Sequence, residues 1–288
     1  MHRVLLPFEF LEPTTLEDIV ELADGQRARV LAGGVDLVLK MRLRQVGPEK
    51  VISIQKVPGL GYVEESGSDL RFGALATLRQ VERSGPVQQK WPVLSEAIAS
   101  IVSVQTKVMG TVVGNLCVGT PASDVAPALY AMGAGVKIRG VDGEREIPIE
   151  EFFVDVGRVS LRPHEVVTGI SVPKLPPGSG GAFLKLSKTA EDIAKVNAAV
   201  VVTLAAGKCM DVKIALGSVA STPIRAAKAE ELLKGQELDE RTIAEAAAAA
   251  AEAAQPISDV RSTAEYRREM VRVLVKDVLE TAASRARA

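Results

Sequence analysis

The sequence is poor in the side chains that hold metals and disulfides. Its 288 residues include only two cysteines, Cys117 and Cys209, and only two histidines, His2 and His164. Two isolated cysteines cannot form a Cys-x-x-Cys metal site, a four-thiolate iron–sulfur site or a disulfide framework, and two histidines cannot build a histidine-rich zinc site. We therefore expect no metal ligands, an organic cofactor for any redox chemistry, and a cytoplasmic protein.

Long hydrophobic runs and an excess of one charge are also missing. Lys and Arg number 35 against 36 Asp and Glu, a net charge of -1, which provides no strong field for holding nucleic acid or an anionic membrane. The apolar runs, such as residues 198–206, are far shorter than the roughly 20 residues that cross a bilayer, and residues 1–13 lack a signal-peptide pattern. We expect neither nucleic acid as a partner nor a membrane span.

What is present is a core-forming composition, with 47% hydrophobic residues, and a length that fits about two domains. The densest run of proline and glycine lies within residues 173–181 and predicts the boundary there. We assign residues 1–175 to an N-terminal domain, with subdomains of about 1–56 and 57–175, and residues 180–288 to a C-terminal domain. Strand and helix patterns alternate before the boundary. Three strands (183–186, 196–204, 212–219) and three helices (223–233, 239–253, 263–283) are predicted after it.

The first candidate site is Ala32-Gly33-Gly34-Val35-Asp36, between a predicted strand and a predicted helix. Glycine permits positive φ and lets backbone N–H groups approach a phosphate closely, and the N-terminus of the following helix favours negative charge. The pattern matches neither the Rossmann fingerprint nor the Walker loop. The alternative is a tight turn with a structural role only.

The second candidate site is the stretch Gly110-Thr111-Val112-Val113-Gly114-Asn115, which we interpret as a loop, followed by Thr120-Pro121-Ala122-Ser123-Asp124. A hydroxyl, an amide and an acid close together suit phosphate oxygens and a polyol. The alternatives are an ordinary turn at Thr120-Pro121 and a helix N-cap at Asp124, before a predicted helix at 126–130.

The third candidate site runs from Lys185 through Asp192-Ile193-Ala194-Lys195-Val196-Asn197. Lys185 is a candidate for a fixed cation beside an electron-rich ring, and Asp192 for an ion pair with Lys188 or Lys195. The alternative is a solvated cluster of charges.

These stretches, in this order, resemble the FAD-binding medium subunits of the molybdenum hydroxylases, a family that includes carbon monoxide dehydrogenase, xanthine dehydrogenase and hydroxybenzoyl-CoA reductase. The resemblance covers nearly the whole chain. It implies an α+β protein with a two-subdomain α/β FAD-binding domain of the PCMH (vanillyl-alcohol-oxidase-like) type. A C-terminal domain with a three-stranded antiparallel sheet and helices would follow, and FAD would lie between the two domains.

The resemblance also implies a role for each part of the candidate sites. The segment 32–36 and the 111–115 region would hold the FAD diphosphate, Asp124 would bind the ribityl region, and Lys185 would stabilise negative charge at the polar edge of the reduced ring. Apolar residues would surround the ring, and no catalytic residue or metal ligand is implied. The implied FAD-binding residues are Ala32, Gly33, Gly34, Val35, Asp36, Ile101, Thr111, Gly114, Asn115, Asp124, Val167, Lys185 and Ile193.

Lys107, Val108 and Lys188 depart from the family pattern, and so do two positions at the expected diphosphate site. Val113 stands where the family commonly has glycine, so a β-branched side chain occupies a position that favours close backbone approach. Val35 replaces the customary Thr, Ser or His and removes a side-chain hydrogen bond to the cofactor. Both changes predict a weaker hold on the diphosphate.

The function implied is electron transfer within a molybdenum hydroxylase. Electrons would pass from the two-iron two-sulfur clusters of a small partner subunit to FAD, and on to an external acceptor such as NAD or a quinone. A large subunit would carry the molybdopterin, and the assembly would be a dimer of heterotrimers. Two alternatives are a stand-alone FAD-dependent reductase of the same fold superfamily, for which we see no persuasive serine or glutamate pair, and a scaffold subunit without flavin.

Overall fold

The computed structural model describes residues 4–288. The first subdomain is a three-stranded parallel sheet in the order β1-β3-β2, in which helices connect the successive strands. The Thr15 hydroxyl caps the first helix by accepting the Asp18 N–H at 3.2 Å. The elements are β1 (Glu9–Leu11), α1 (Leu16–Leu22), β2 (Ala28–Leu31), α2 (Val35–Arg42) and β3 (Lys50–Ser53).

The second subdomain is a five-stranded antiparallel sheet, ordered β4-β5-β10-β6-β7, with six short helices. Its last strand in sequence, β10, lies at the centre of the sheet and closes the subdomain. The elements are β4 (Val63–Ser66), β5 (Asp69–Gly73), α3 (Leu78–Arg83), α4 (Gly85–Lys90), α5 (Pro92–Ala99), α6 (Val104–Met109), α7 (Val112–Cys117), α8 (Val125–Met132), β6 (Gly135–Gly140), β7 (Gly143–Pro148), β8 (Phe153–Asp155), β9 (Arg158–Val159) and β10 (Val166–Val172).

The interpretation of residues 110–115 as a loop was wrong, because α7 begins at Val112. The Thr111 hydroxyl accepts the Gly114 N–H at 2.9 Å and caps the helix. Val112 and Leu116 are fully or almost fully buried. Valine and glycine are weak helix formers, so tertiary packing rather than intrinsic propensity stabilises this helix.

The C-terminal domain is an antiparallel sheet, ordered β11-β12-β13-β14, packed against three helices. The three predicted long strands are present. Ile224 and Arg225, predicted as the start of a helix, instead pair with β13 as a short fourth strand. The elements are β11 (Ser179–Leu186), β12 (Val196–Ala205), β13 (Lys208–Gly217), β14 (Ile224–Arg225), α9 (Ala227–Leu233), α10 (Glu240–Ala253) and α11 (Ala264–Arg287).

The sheet of the C-terminal domain has a buried surface on each side. One face packs with α9, α10 and α11, whereas Phe183 and Val201 on the other face join the core of the N-terminal domain. Glu96 of α5 reinforces this contact by pairing with Arg285 at 2.7 Å and accepting the Phe183 N–H at 3.1 Å. The two domains therefore share an apolar interface. No helix in the described part of the chain is long and apolar enough to cross a membrane.

Candidate functional site

A cavity of about 1100 Å³ lies where the two subdomains and the C-terminal domain meet. The three stretches singled out in the sequence all contribute to its wall. It is larger than the roughly 300–1,000 Å³ pockets that hold drug-sized ligands, so it has room for a dinucleotide. The predicted residues that line it are Ala32, Gly33, Gly34, Val35, Asp36, Ile101, Thr111, Gly114, Asn115, Asp124, Val167, Lys185 and Ile193.

The glycine pair, Gly33 and Gly34, forms the turn from β2 into α2. It packs directly against the start of the second candidate stretch, at Met109 and Gly110. A Cβ on Gly33 would lie only 1.7 Å from the Met109 carbonyl oxygen, and Gly34 has a φ of +75°. Within residues 4–288, the N–H groups of Gly33 and Gly34 donate to no other group of the chain. Two free backbone donors at a helix N-terminus in a cavity wall fit an anionic group.

Asp36 lies in the first turn of α2. Burial raises the pKa of its carboxyl, and the nearby charge of Lys40 opposes that rise. Val35, directly before it, is half-buried.

The start of α7 lies beside the glycine turn. A Cβ on Gly114 would lie 2.8 Å from the Thr111 hydroxyl oxygen, so the cap leaves no room for a side chain there. Asn115 accepts a hydrogen bond from the Ser123 hydroxyl at 2.6 Å. Val113 is only 5% exposed, and its side chain belongs mainly to the core of the N-terminal domain. The hydroxyl of Thr111 thus serves the helix backbone.

Asp124 and Lys185 form a buried ion pair across the domain boundary. The Lys185 ammonium donates to Asp124 Oδ2 at 2.8 Å, and both side chains are less than a tenth exposed. Asn197 Nδ2 donates to Asp124 Oδ1 at 2.8 Å. Burial raises the pKa of the Asp124 carboxyl, while Lys185 and Asn197 both lower it. The lysine is therefore a cation with a fixed counter-charge in the cavity wall.

Asp124 is the N-cap residue of α8, as the alternative predicted, but its side chain makes no capping hydrogen bond. The Ser123 hydroxyl instead accepts the Ala126 N–H at 3.0 Å. Asp and Ser are about equally good N-caps, so the serine before Asp124 can supply the bond and leave the carboxylate to Lys185 and Asn197.

The three apolar residues of the prediction differ in exposure. Val167 is 7% exposed, Ile101 is partly buried and Ile193 is 51% exposed. The predicted ion pair of Asp192 is absent from the described residues. Asp192 instead accepts the Thr189 N–H at 3.0 Å within its own turn.

The sequence analysis missed several residues of the cavity wall. Cys117 is exposed to the cavity, and the surrounding protein raises the pKa of its thiol to about 12 through desolvation. Arg158 and Arg162 add positive charge from the hairpin β8–β9 and the segment after it. Placing Cys117 required knowing that α7 is helical, since it lies one turn after Gly114. Within residues 4–288, no three side chains of His, Cys, Asp or Glu form a group able to hold a metal ion.

The fold and cavity define a two-domain protein with a site for an elongated anionic cofactor. Residues 6–175 match the family described as the FAD binding domain in molybdopterin dehydrogenase, and residues 181–282 match the CO dehydrogenase flavoprotein C-terminal domain. The chain belongs to the family of FAD-binding medium subunits of molybdenum hydroxylases, which are subunits of oxidoreductases, and its cofactor is FAD. The free N–H groups of the glycine turn and the cation of Lys185 fit this cofactor.

Individual relatives match over nearly their whole length. The chain is 33% identical to the carbon monoxide dehydrogenase medium chain of Afipia carboxidovorans, covering 97% of this chain and 98% of that one. It is 35% identical to subunit alpha of the 6-hydroxypseudooxynicotine dehydrogenase complex of Paenarthrobacter nicotinovorans, covering 97% and 96%. Among solved structures, a chain of the Hydrogenophaga pseudoflava carbon monoxide dehydrogenase that lacks the Mo-pyranopterin moiety superimposes with a TM-score of 0.95 at 33% identity, covering 98% and 99%.

Proposed function

We propose that this chain carries electrons within a molybdenum hydroxylase complex. Electrons from the two-iron two-sulfur clusters of a small subunit reach FAD here and leave to an external acceptor, while a large subunit binds the molybdopterin. The observation that carries this proposal is the cavity, where three separate stretches of both domains meet. The names of the relatives, as medium chains and complex subunits, support the partners. We further propose a dimer of heterotrimers in the cytoplasm.

We assign the diphosphate of FAD to the backbone of the glycine turn. Gly33 and Gly34 supply free N–H donors, and Asp36 lies in the helix turn that follows. Thr111, Gly114 and Asn115 shape the adjoining part of the wall, since the cap and the Asn115–Ser123 hydrogen bond fix the start of α7. Backbone donors need no side-chain reorganisation when they bind an anion.

We assign the ribityl and ring end of FAD to the pair of Asp124 and Lys185. A carboxylate accepts hydrogen bonds from hydroxyl groups, and an ammonium stabilises a neighbouring negative charge. When bound, FAD supplies the exchange of electrons in one-electron and two-electron steps. Ile101, Val167 and Ile193 supply apolar surface on the same wall and exclude water from it.

The visible absorption spectrum of the purified chain, taken after FAD is added and free FAD is removed, tests the first part of this proposal. We expect flavin bands and about one FAD per chain, with FAD rather than FMN in the supernatant of denatured protein. A chain that retains no FAD alone, but retains it when co-purified with its partners, would show that the partners complete the site. A flavin-free complex would support the scaffold alternative.

Partner binding is tested on α2 and its C-cap residue, where exposed Leu39 and Leu43 lie beside Lys40 and Arg42. We propose this face as part of the contact with the small subunit. Reversing both basic charges is expected to weaken co-purification with that subunit, whereas reversing Lys174, an exposed lysine elsewhere, is not. Intact assembly with both charges reversed would remove α2 from the interface.

A further inference from the structure

Asn197 ties the C-terminal domain to the segment that carries Asp124. It lies in β12 and is completely buried. Its Nδ2 donates to Asp124 Oδ1 at 2.8 Å and to the Ser123 carbonyl at 3.1 Å, so both of its N–H groups hold one short segment of the other domain. Asn197 does not line the cavity itself. Any effect on the cavity is therefore transmitted through its two acceptors.

The contacts of Asn197 reach both ends of the candidate site. Lys185 occupies the second oxygen of the Asp124 carboxylate, so side chains of the C-terminal domain hold both oxygens. In the other direction, the Ser123 hydroxyl donates to Asn115 in α7 at 2.6 Å. A fully buried amide with two charge-assisted or backbone acceptors fixes the orientation of those acceptors.

We propose that Asn197 is a positioning residue of the FAD site, which orients the Asp124 carboxylate and makes FAD affinity depend on the docked C-terminal domain. This inference rests on the proposed function, in which Asp124 and Lys185 contact FAD. The earlier assignment from the family resemblance gave Asn197 no role.

A pH dependence distinguishes this role from simple packing. Among the described residues, Lys185 on β11 is the charged group that pairs with Asp124, and β12 presents the Asn197 amide to the same carboxylate. The Ser100 carbonyl, directly after α5, accepts a hydrogen bond from the Lys185 ammonium at 3.4 Å. Removing the amide hydrogen bond raises the pKa of Asp124 further above its ordinary value. The carboxylate is then protonated at a higher pH, and the FAD affinity that depends on it is lost at a higher pH.

The experiment measures the FAD dissociation constant of the full chain, by flavin fluorescence, from about pH 5 to about pH 8. Asn197→Ala is expected to weaken FAD binding about tenfold at neutral pH and to move the loss of affinity in acid to higher pH. The matched control is Arg285→Gln, which breaks the ion pair with Glu96 between the same two domains without touching Asp124. We expect this control to keep the wild-type pH profile.

A folded Asn197→Ala protein with the wild-type profile would overturn the inference, and so would an equal shift in Arg285→Gln. If the alanine variant does not fold, Asn197→Ser is measured instead, because its side chain fills more of the space. We expect this variant to shift the pH profile in the same direction, and an unshifted profile would overturn the inference. Asp124→Asn and Lys185→Met are measured in parallel. Wild-type FAD affinity in both would refute the site assignment itself, whereas weak binding in both with a wild-type Asn197→Ala would refute the role of Asn197 alone.

Discussion

The carbonyl oxygen of Met109 fills the space in which a side chain at Gly33 would lie. A Cβ built on Gly33 would be 1.7 Å from that oxygen, far inside any van der Waals contact. The glycine turn and the segment leading into α7 are therefore in direct backbone contact. The reason for glycine at position 33 is the approach of a second chain segment, in addition to any approach of a phosphate.

Gly33→Ala is expected to force the glycine turn away from Met109 and to abolish FAD retention. The clash is with backbone, which cannot rotate out of the way, so the melting temperature is expected to fall as well. Absorbance at the flavin bands and thermal unfolding measure the two effects. Gly61→Ala is the control, because a Cβ there meets nothing within 4 Å and the φ of Gly61 is not positive. Normal FAD content in a folded Gly33→Ala protein would contradict the assignment of this turn.

Lys185→Met is expected to lower the reduction potential of bound FAD, because the proposed site places this cation beside the ring, where it would stabilise the reduced form. A shift of about 30 mV corresponds to a tenfold change in a two-electron equilibrium and sets the scale. Potentiometric titration of the holoprotein measures it. Lys188→Met, an exposed lysine on the same segment, serves as the control. An unchanged potential in Lys185→Met would show that the charge of Lys185 interacts with Asp124 and does not affect the flavin.

Val113→Gly restores the residue common in the family, yet we expect it to reduce stability. The Val113 side chain is 5% exposed and packs in the core of the N-terminal domain, so its removal costs about 2 kcal/mol of unfolding free energy. We expect little change in FAD affinity. Chemical denaturation and FAD titration test the two statements separately. A large gain in FAD affinity would instead mean that Val113 obstructs the diphosphate.

The thiol of Cys117 is expected to report whether FAD occupies the cavity. It is exposed to the cavity with a pKa of about 12, so alkylation of the chain without FAD is expected to be slow and to accelerate as the pH rises. FAD is expected to slow it further. Mass spectrometry of alkylated peptides measures this, and Cys117→Ser shows the background from Cys209, which is buried. Equal labelling with and without FAD would place the cofactor away from α7.

Asp259 is expected to stabilise the C-terminal domain through Arg267, which is 4% exposed and pairs with it at 2.8 Å. Burial tends to raise the pKa of Asp259, but hydrogen bonds from the Arg261 N–H and the Arg267 guanidinium lower it to about 2. A carboxyl group whose pKa is lower in the folded state than its unfolded value near 3.8 stabilises the fold at pH values above 3.8. This stabilisation is lost as the pH falls through about 2. Asp259→Ala is expected to cost about 1 kcal/mol at neutral pH, because solvent screens this partly exposed carboxylate.

Unfolding free energies of the wild type and Asp259→Ala, measured from neutral pH downward, test this statement. The difference between the two proteins is expected to shrink as the pH falls below 4. Asp142→Ala, an exposed turn carboxylate, is the control. A difference that stays constant with pH would mean that packing rather than charge accounts for the loss.

Local patterns predicted those parts of the fold that depend on local contacts. The helix predicted at 239–253 is present as α10, and the Asp239 side chain accepts the Thr242 N–H three residues further on. The helix α7 was not predicted, because its valines and glycine favour a helix only once they are buried. Likewise β14 exists only through its pairing with β13.

The sequence predicted the segments of the candidate site one by one, but not the contacts between them. Asp124 and Lys185 were both named, but their 2.8 Å contact joins residues 61 positions apart, which no spacing rule predicts. Ser123 and Asn197 were not given roles, since a serine beside an aspartate and an asparagine in a strand have many ordinary explanations. Their function depends on partners supplied by tertiary structure.

The contact between Asp124 and Lys185 joins two parts of the chain that are synthesised at different times. A chain that ends before β11 contains the glycine turn, α7 and Asp124, but no counter-charge for that carboxylate and no amide from β12. In such a chain the side of the cavity that β11 completes in the finished protein is open. On the proposed site assignment, we therefore expect stable capture of FAD to follow synthesis of the second domain.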